Sequence, residues 1–295
     1  RWYSRFTLLK LGRMHHDGRN LSNPEDTDMA TSAAAATDTP PVLAEVDDDV
    51  ATVTLNRPDK YNALSSAMID ALTEALEALG RNDAVRVIVI GARGRAFSAG
   101  HDLKEMRAID APADHQALFD RCGRMMKTIN AVPQPVIARV QGIATAAGCQ
   151  LVAACDLAIA ADSAKFAVSG INVGLFCSTP AVPLSRAVPT KRAMQMLLTG
   201  DFIDAQTAAA WSLVNEIVPA AELDEAVRNL AAKIAAKSPH SIRIGKRMFY
   251  DQLGMPLEAA YDFASERMAT NMDSEDAREG IDAFVEKRAP IWRGR

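Results

Sequence analysis

Two stretches of the chain hold residue types that can stabilise negative charge on a carbonyl oxygen. The first is Phe97-Ser98-Ala99-Gly100-His101-Asp102-Leu103-Lys104-Glu105, which follows residues 85–90, Val-Arg-Val-Ile-Val-Ile, a largely β-branched run closed by Gly91 and Gly94. The second is Gln141-Gly142-Ile143-Ala144-Thr145-Ala146-Ala147-Gly148-Cys149-Gln150, which follows the mostly apolar run 134–140. Each reads as a strand, a turn of small residues and a helix start. Such a turn leaves backbone N–H groups unpaired where the positive end of the helix dipole also lies, so an anion or developing oxyanion is favoured there. Taken singly, either stretch is explained as well by tight packing. Two N–H groups aimed at one oxygen would stabilise an enolate or a tetrahedral oxyanion, and a preorganised donor of this kind is typically worth about 3 kcal/mol.

The elements that must position these turns follow from hydropathy and capping. Residues 42–46 and 50–55 flank the acidic turn Asp47-Asp48-Asp49 as a hairpin, and Asn56-Arg57-Pro58 ends its second strand. Ser65 is placed to cap a helix that carries Met68, Leu72, Leu76 and Leu79 at helical spacing and stops near Gly80. A strand at 85–90 precedes the first turn, and an amphipathic helix at about 114–129 lies between the two turns. Residues 143–161 are long and apolar enough to mimic a membrane span. Gln150 and Asp156 interrupt them and small residues dominate, so a buried helix followed by a buried strand is predicted. Alanine-rich amphipathic spacing marks helices at 192–198, 205–213 and 222–237, and residues 239–290 read as a charged, capping helical layer. The order of elements predicts an α/β fold with mostly parallel buried strands.

Composition narrows the function classes. With 48% hydrophobic and 24% charged residues the chain has the makings of a full globular core. A formal charge of −4 gives no footprint for nucleic acid. The four cysteines, Cys122, Cys149, Cys155 and Cys177, lack C-x-x-C spacing, which argues against a disulfide framework or a zinc site and for a reducing compartment such as the cytoplasm. Residues 1–16 carry Arg1, Arg5, Lys10 and Arg13 and no acidic residue. That pattern fits an organelle transit peptide, hence the mitochondrial matrix, and fits equally a vector-derived or wrongly extended start with Met29 as the natural one. The Ala/Thr/Pro-rich segment that follows completes a flexible arm expected over 1–41.

From residue 41 to 295 the chain resembles the crotonase (enoyl-CoA hydratase/isomerase) superfamily. The resemblance rests on four motifs in the family's order: Leu55-Asn56-Arg57-Pro58 before Asn62-Ala63-Leu64; 97–105; Pro135-Val136-Ile137-Ala138 running through Gly148-Cys149-Gln150-Leu151; and Ala283-Phe284-Val285-Glu286-Lys287-Arg288. It implies a spiral of ββα turns over 42–190 and a C-terminal helical trimerisation region over 191–295. It further implies an acyl-CoA substrate of fatty-acid metabolism, with coenzyme A entering as part of that substrate and no resident cofactor or metal. The expected assembly is a homotrimer or a dimer of trimers, without a membrane span.

The same resemblance assigns the oxyanion donors to the backbone N–H groups of His101 and Ala147. It places Lys60 near the CoA phosphates, the backbone around Ala99 at the adenine, and Phe284 with Lys287 at the nucleotide end. Hydration of an enoyl thioester needs one carboxylate to activate water and another to protonate the α-carbon. Gln150 and Gly170 stand where the family carries those glutamates, and neither can take a proton from water. Five nearby side chains could substitute for them. The His101 ring reads as structural, Asp102 as a local cap, Glu105 and Asp110 as solvated, and Cys177 as inert packing rather than a nucleophile. The turn Ala-Gly-His-Asp also resembles methylmalonyl-CoA decarboxylases of the superfamily, although their pocket tyrosine corresponds to Cys177. Poor hydratase, decarboxylase or thioesterase, and non-catalytic acyl-CoA binder all stay open.

Overall fold

In the computed structural model, which describes Thr39–Arg295, the chain begins with a hairpin, β1 (Val42–Asp47) and β2 (Val50–Leu55), and the helix α1 (Ser66–Gly80). It continues through β3 (Val87–Ala92), β4 (Ala96–Ser98), α2 (Leu103–Ala108), α3 (Pro112–Ala131), β5 (Val136–Val140), β6 (Ile143–Thr145) and α4 (Ala147–Ala154). Next come β7 (Leu157–Ala161), β8 (Lys165–Ala167), α5 (Ser178–Ala187), α6 (Thr190–Thr199), β9 (Ile203–Asp204), α7 (Ala205–Ala210) and β10 (Glu216–Val218). Four helices close the chain: α8 (Leu223–Ala235), α9 (Pro239–Gln252), α10 (Leu257–Met272) and α11 (Glu275–Glu286). The expectations placed on residues 1–38, including the transit-like segment and Met29, lie outside the described residues. Thr39 and Pro40, assigned to the arm by composition, are tied to the body: their carbonyls accept from Arg57, and Pro40 O also accepts from Asn56 Nδ2 at 3.0 Å.

The strands divide between two sheets. One has the order β1-β2-β3-β5-β7-β10 and the other β4-β6-β8-β9. Each of the pairs β3/β4, β5/β6 and β7/β8 sends a longer strand to the first sheet and a three-residue strand to the second before the chain turns helical. The ladders between successive turns are parallel in both sheets, which is the repeating ββα order expected from the resemblance. Strand β3 starts and ends two residues later than its apolar run. Its register with β2, Val50↔Val87 through Leu55↔Ala92, carries Gly91 and Ala92 into the ladder.

Strand β3 is buried along its whole length because both sheet faces are covered. Side chains alternate across a strand, so Ile88 and Ile90 join the main core with α1 and α3, while Val87 and Val89 pack with Leu223, Val227 and Ala231 of α8. Helix α1 opens as the sequence suggests, with Ser65 Oγ accepting from Met68 N–H, and it buries Met68, Leu72, Leu76 and Leu79. Helix α9 is pinned to the core by an ion centre. Lys246 Nζ donates to Asp156 Oδ2 at 2.7 Å and to the carbonyls of Ile129 and Gln134, and Tyr250 donates to Asp156 Oδ1. Among the described residues no helix is long and apolar enough to cross a membrane.

Candidate active site

The turn after β4 uses up its donors one by one. Ala99 N–H donates to Tyr61 O at 3.0 Å, and Gly100 N–H donates to Ser98 Oγ at 3.2 Å. Ser98 Oγ itself donates to Asn62 O, and Asn62 braces the turn from beneath by donating to Arg93 O and Ala96 O. Asp102 then caps α2 by accepting from Lys104 and Glu105. No acceptor among the described residues takes the N–H of His101. In the turn after β6, Ala146 N–H donates to Ala167 O at 3.0 Å, and the helical ladder of α4 begins with Gln150 N–H to Ala146 O. Ala147, the first residue of α4, therefore has an N–H with no helical acceptor.

The two turns touch. Gly100 sits at φ +85°, and a Cβ added there would lie 2.8 Å from Ala146 Cβ, 2.9 Å from Thr145 O and 3.0 Å from Ala147 N. Only glycine admits both that φ and that approach. Ala146 adopts φ 49°, ψ −120°, a strained conformation for a residue with a side chain, directly before the Ala147 donor. Nothing in the residue types marks Ala146 in advance, since alanine is ordinary at helix starts.

Both free N–H groups belong to residues on the wall of a cavity of about 460 Å³. Ala99, Leu103, Met106, Phe119, Leu175 and Phe176 make much of that wall apolar, and among the described residues no Asp or Glu side chain is part of it. Gly170, Ser169 and Cys177 also lie there. Gln150 is not on the wall. Its side chain is buried with Oε1 unpaired. Gly170 leaves no room for a side chain, because an added Cβ would be 2.7 Å from both Cys177 Sγ and Leu175 O.

Glu105, expected to be solvated, instead holds the start of α1 by accepting from Ser66 N–H at 3.0 Å. Asp110 lies apart from the cavity, in a surface recess of the α2–α3 connection. His101 Nδ1 lies 3.3 Å from Leu64 O, its ring meets Phe119 edge-on at 5.7 Å, and its Nε2 is buried without a partner. Burial outweighs the Leu64 carbonyl and Glu105 and holds the His101 pKa below its ordinary value, so the ring is neutral at pH 7. Burial pushes the Cys177 thiol up, which removes it as a thiolate nucleophile, and pushes those of Cys122 and Cys149 up to about 12. Ala99 is on the wall, whereas Lys60, at the end of a 3₁₀ turn, and Phe284 and Lys287, at the end of α11, are not. Phe284 is 85% exposed. A larger recess of about 720 Å³ lies around Asp156 and Tyr250, where the hydrogen bonds to Lys246 and Val136 already occupy the carboxylate.

The chain is similar to known proteins over most of its length. The family model for enoyl-CoA hydratase/isomerase matches residues 45–295. Human enoyl-CoA hydratase domain-containing protein 3, mitochondrial, is 45% identical over 253 residues, spanning 85% of this chain and 83% of that protein. A probable enoyl-CoA hydratase of Bacillus subtilis (strain 168) is 35% identical, spanning 84% of this chain and 97% of its own. Among solved structures, an enoyl-CoA hydratase of Mycobacterium smegmatis matches with a TM-score of 0.85 at 51% identity, covering 86% of this chain and 99% of that one. The crystal structure of the human domain-containing protein 3 matches with a TM-score of 0.83 at 45% identity, covering 85% and 100%.

Proposed function

The chain belongs to the enoyl-CoA hydratase/isomerase family, and on that premise we propose that it binds an acyl-CoA thioester of fatty-acid metabolism with the thioester oxygen between the N–H groups of His101 and Ala147. The observation that carries this reading is the pairing of two unoccupied N–H donors with an apolar cavity that has no carboxylate on its wall. Donors so placed stabilise charge that develops on the oxygen, while the missing carboxylates remove the two proton transfers that hydration requires. Hydration of crotonyl-CoA is accordingly weak. Lys60, the Ala99 backbone, Phe284 and Lys287 hold the CoA moiety, the last two from a neighbouring copy. Exposed apolar side chains on the C-terminal helices, among them Leu257, Tyr261, Met268 and Val285, support assembly into a homotrimer or a dimer of trimers. The mitochondrial names of the vertebrate relatives support organelle targeting over a cytoplasmic location.

The carboxylate-free wall also favours a second reading, decarboxylation of a malonyl-type thioester. Loss of CO₂ places charge directly on the trapped oxygen and needs no base to start. The test is calorimetry and product analysis with a panel of enoyl-, malonyl- and saturated acyl-CoA thioesters. Thioesters are expected to bind more tightly than the free acids, with slow or no hydration. Binding without any product would leave an acyl-CoA-binding protein, and no binding of any CoA thioester would overturn the reading.

A further inference from the structure

A recess of about 500 Å³ lies on the α8 face of the first sheet and shares no residue with the wall of the apolar cavity. Along β2 the side chains of Ala51, Val53 and Leu55 enter the main core, so Thr52 and Thr54 face the other way, onto this recess. On β5 the same face carries Ile137, which packs with the α8 cluster, and then Arg139. An arginine breaks that apolar row, yet it is held in place: its Nε donates to Asp224 in the first turn of α8, and its side chain is only 23% exposed. Its Nη groups have no partner among the described residues. Gly91 on the neighbouring strand has no side chain to fill the space, and a Cβ there would lie 3.5 Å from Arg139 Cδ. Arg93, just past β3, and Arg228, one turn beyond Asp224, also line the recess. Arg93 gives one N–H to Asn56 Oδ1 at 3.3 Å, and Arg228 forms no side-chain hydrogen bond or ion pair among the described residues.

Three guanidinium groups against the one carboxylate of Asp224 leave an excess of two positive charges around the recess, on a chain whose formal charge is −4. A guanidinium presents a planar fork of N–H donors that matches phosphate oxygens, and a phosphate monoester carries a charge of about −1.5 to −2 at pH 7. We propose that this recess binds the phosphate group of a small phosphorylated molecule, at a site separate from the acyl cavity. The inference goes beyond the function proposed above and does not depend on it. Asp224 orients Arg139 through Nε and leaves the outer N–H groups for the ligand, while Thr52 and Thr54 supply hydroxyl donors. None of Lys60, Ala99, Phe284 and Lys287, the residues proposed to hold the CoA moiety, lies on this wall.

The experiment is calorimetry of the full chain with inorganic pyrophosphate at low salt, for wild type, Arg139→Met, Arg228→Met and a control, Arg186→Met, on the wall of the recess around Asp156. Methionine keeps an apolar stem without the charge. Asp224 is 67% exposed, so removing the Arg139 guanidinium strands no buried carboxylate, and Arg228→Met decides the matter if Arg139→Met does not fold. Wild type is expected to saturate below about 10 mM pyrophosphate, each recess variant to bind at least about fivefold more weakly, and the control to change less than about twofold. Excess coenzyme A is expected to leave pyrophosphate binding unchanged. Wild type that does not saturate by about 10 mM, folded recess variants within about fivefold of wild type, or an equal loss in the control would overturn the proposal. Displacement by coenzyme A would assign the recess to the phosphates of that molecule and overturn a separate site.

Discussion

Glutamates placed at Gln150 and Gly170, where the resemblance puts the family's two acids, test whether the cavity has the space for an acid and a base. At Gly170 the first atom of any side chain is already too close, 2.7 Å from both Cys177 Sγ and Leu175 O. The sulfur can be removed by Cys177→Ala, but Leu175 O is backbone. Overpacking of this kind typically costs about 1–3 kcal/mol, which for a body of this size lowers Tm by about 2–12 °C. Gly170→Ala should show that fall without any change in charge, and Gly170→Glu should show at least as much. Gln150→Glu has a different defect. The side chain is buried, off the cavity wall and without a partner for Oε1, so the new carboxyl will have a raised pKa and stay protonated near pH 7. We expect kcat/KM on crotonyl-CoA to rise by no more than about tenfold in Gln150→Glu, well short of the two to four orders of magnitude that a positioned acid or base supplies. The double variant should not exceed it. The assay is kcat/KM and Tm for wild type, both single glutamate variants, the double variant, Gly170→Ala, and Gly170→Ala combined with Cys177→Ala. A Gly170→Glu protein with unchanged Tm and efficient hydration would refute the packing argument.

Three further outcomes follow from other parts of the molecule. Ala146→Gly should relieve the φ 49° strain and raise stability by about 1 kcal/mol, read by urea denaturation, with thioester affinity changed less than about twofold; a destabilised variant would show that the methyl packs favourably enough to offset its strain. Lys246→Met leaves the Asp156 carboxylate buried without its cation and should cost about 3–5 kcal/mol by the same measurement, a loss under 1 kcal/mol arguing that the centre contributes little to holding α9. The folded-state pKa of His101 lies below its ordinary 6.5, so the unfolded chain binds more protons between the two values, and this contribution to stability is present above pH 6.5 and lost as pH falls below it. Thermal melts from pH 5 to 8 should therefore fall more steeply on the acid side for wild type than for His101→Asn, and parallel curves would refute a buried neutral ring.

Local order was legible wherever one residue's neighbours in sequence are also its neighbours in space. Ser65 caps the helix it precedes, and Met68, Leu72, Leu76 and Leu79 share one face at helical spacing, whereas the short strands Ala96–Ser98 and Ile143–Thr145 lie inside stretches that read as turns. The charge roles were not legible, because each depends on a partner far along the chain. Glu105 reads as a surface carboxylate until α1 arrives with Ser66 N–H, 39 residues upstream. Only the packed turns show that the N–H groups of Ala99, Gly100 and Ala146 are consumed by Tyr61, Ser98 and Ala167, while those of His101 and Ala147 are among the N–H groups left without an acceptor among the described residues. The carbonyl that the His101 ring meets belongs to Leu64, 37 residues away. The sequence by itself determined which residue types stand at the two turns and that Gln150 and Gly170 are not acids. The tertiary structure decided which hydrogen bonds remain unmade and which positions have space, because both are properties of a close-packed interior rather than of any segment of it.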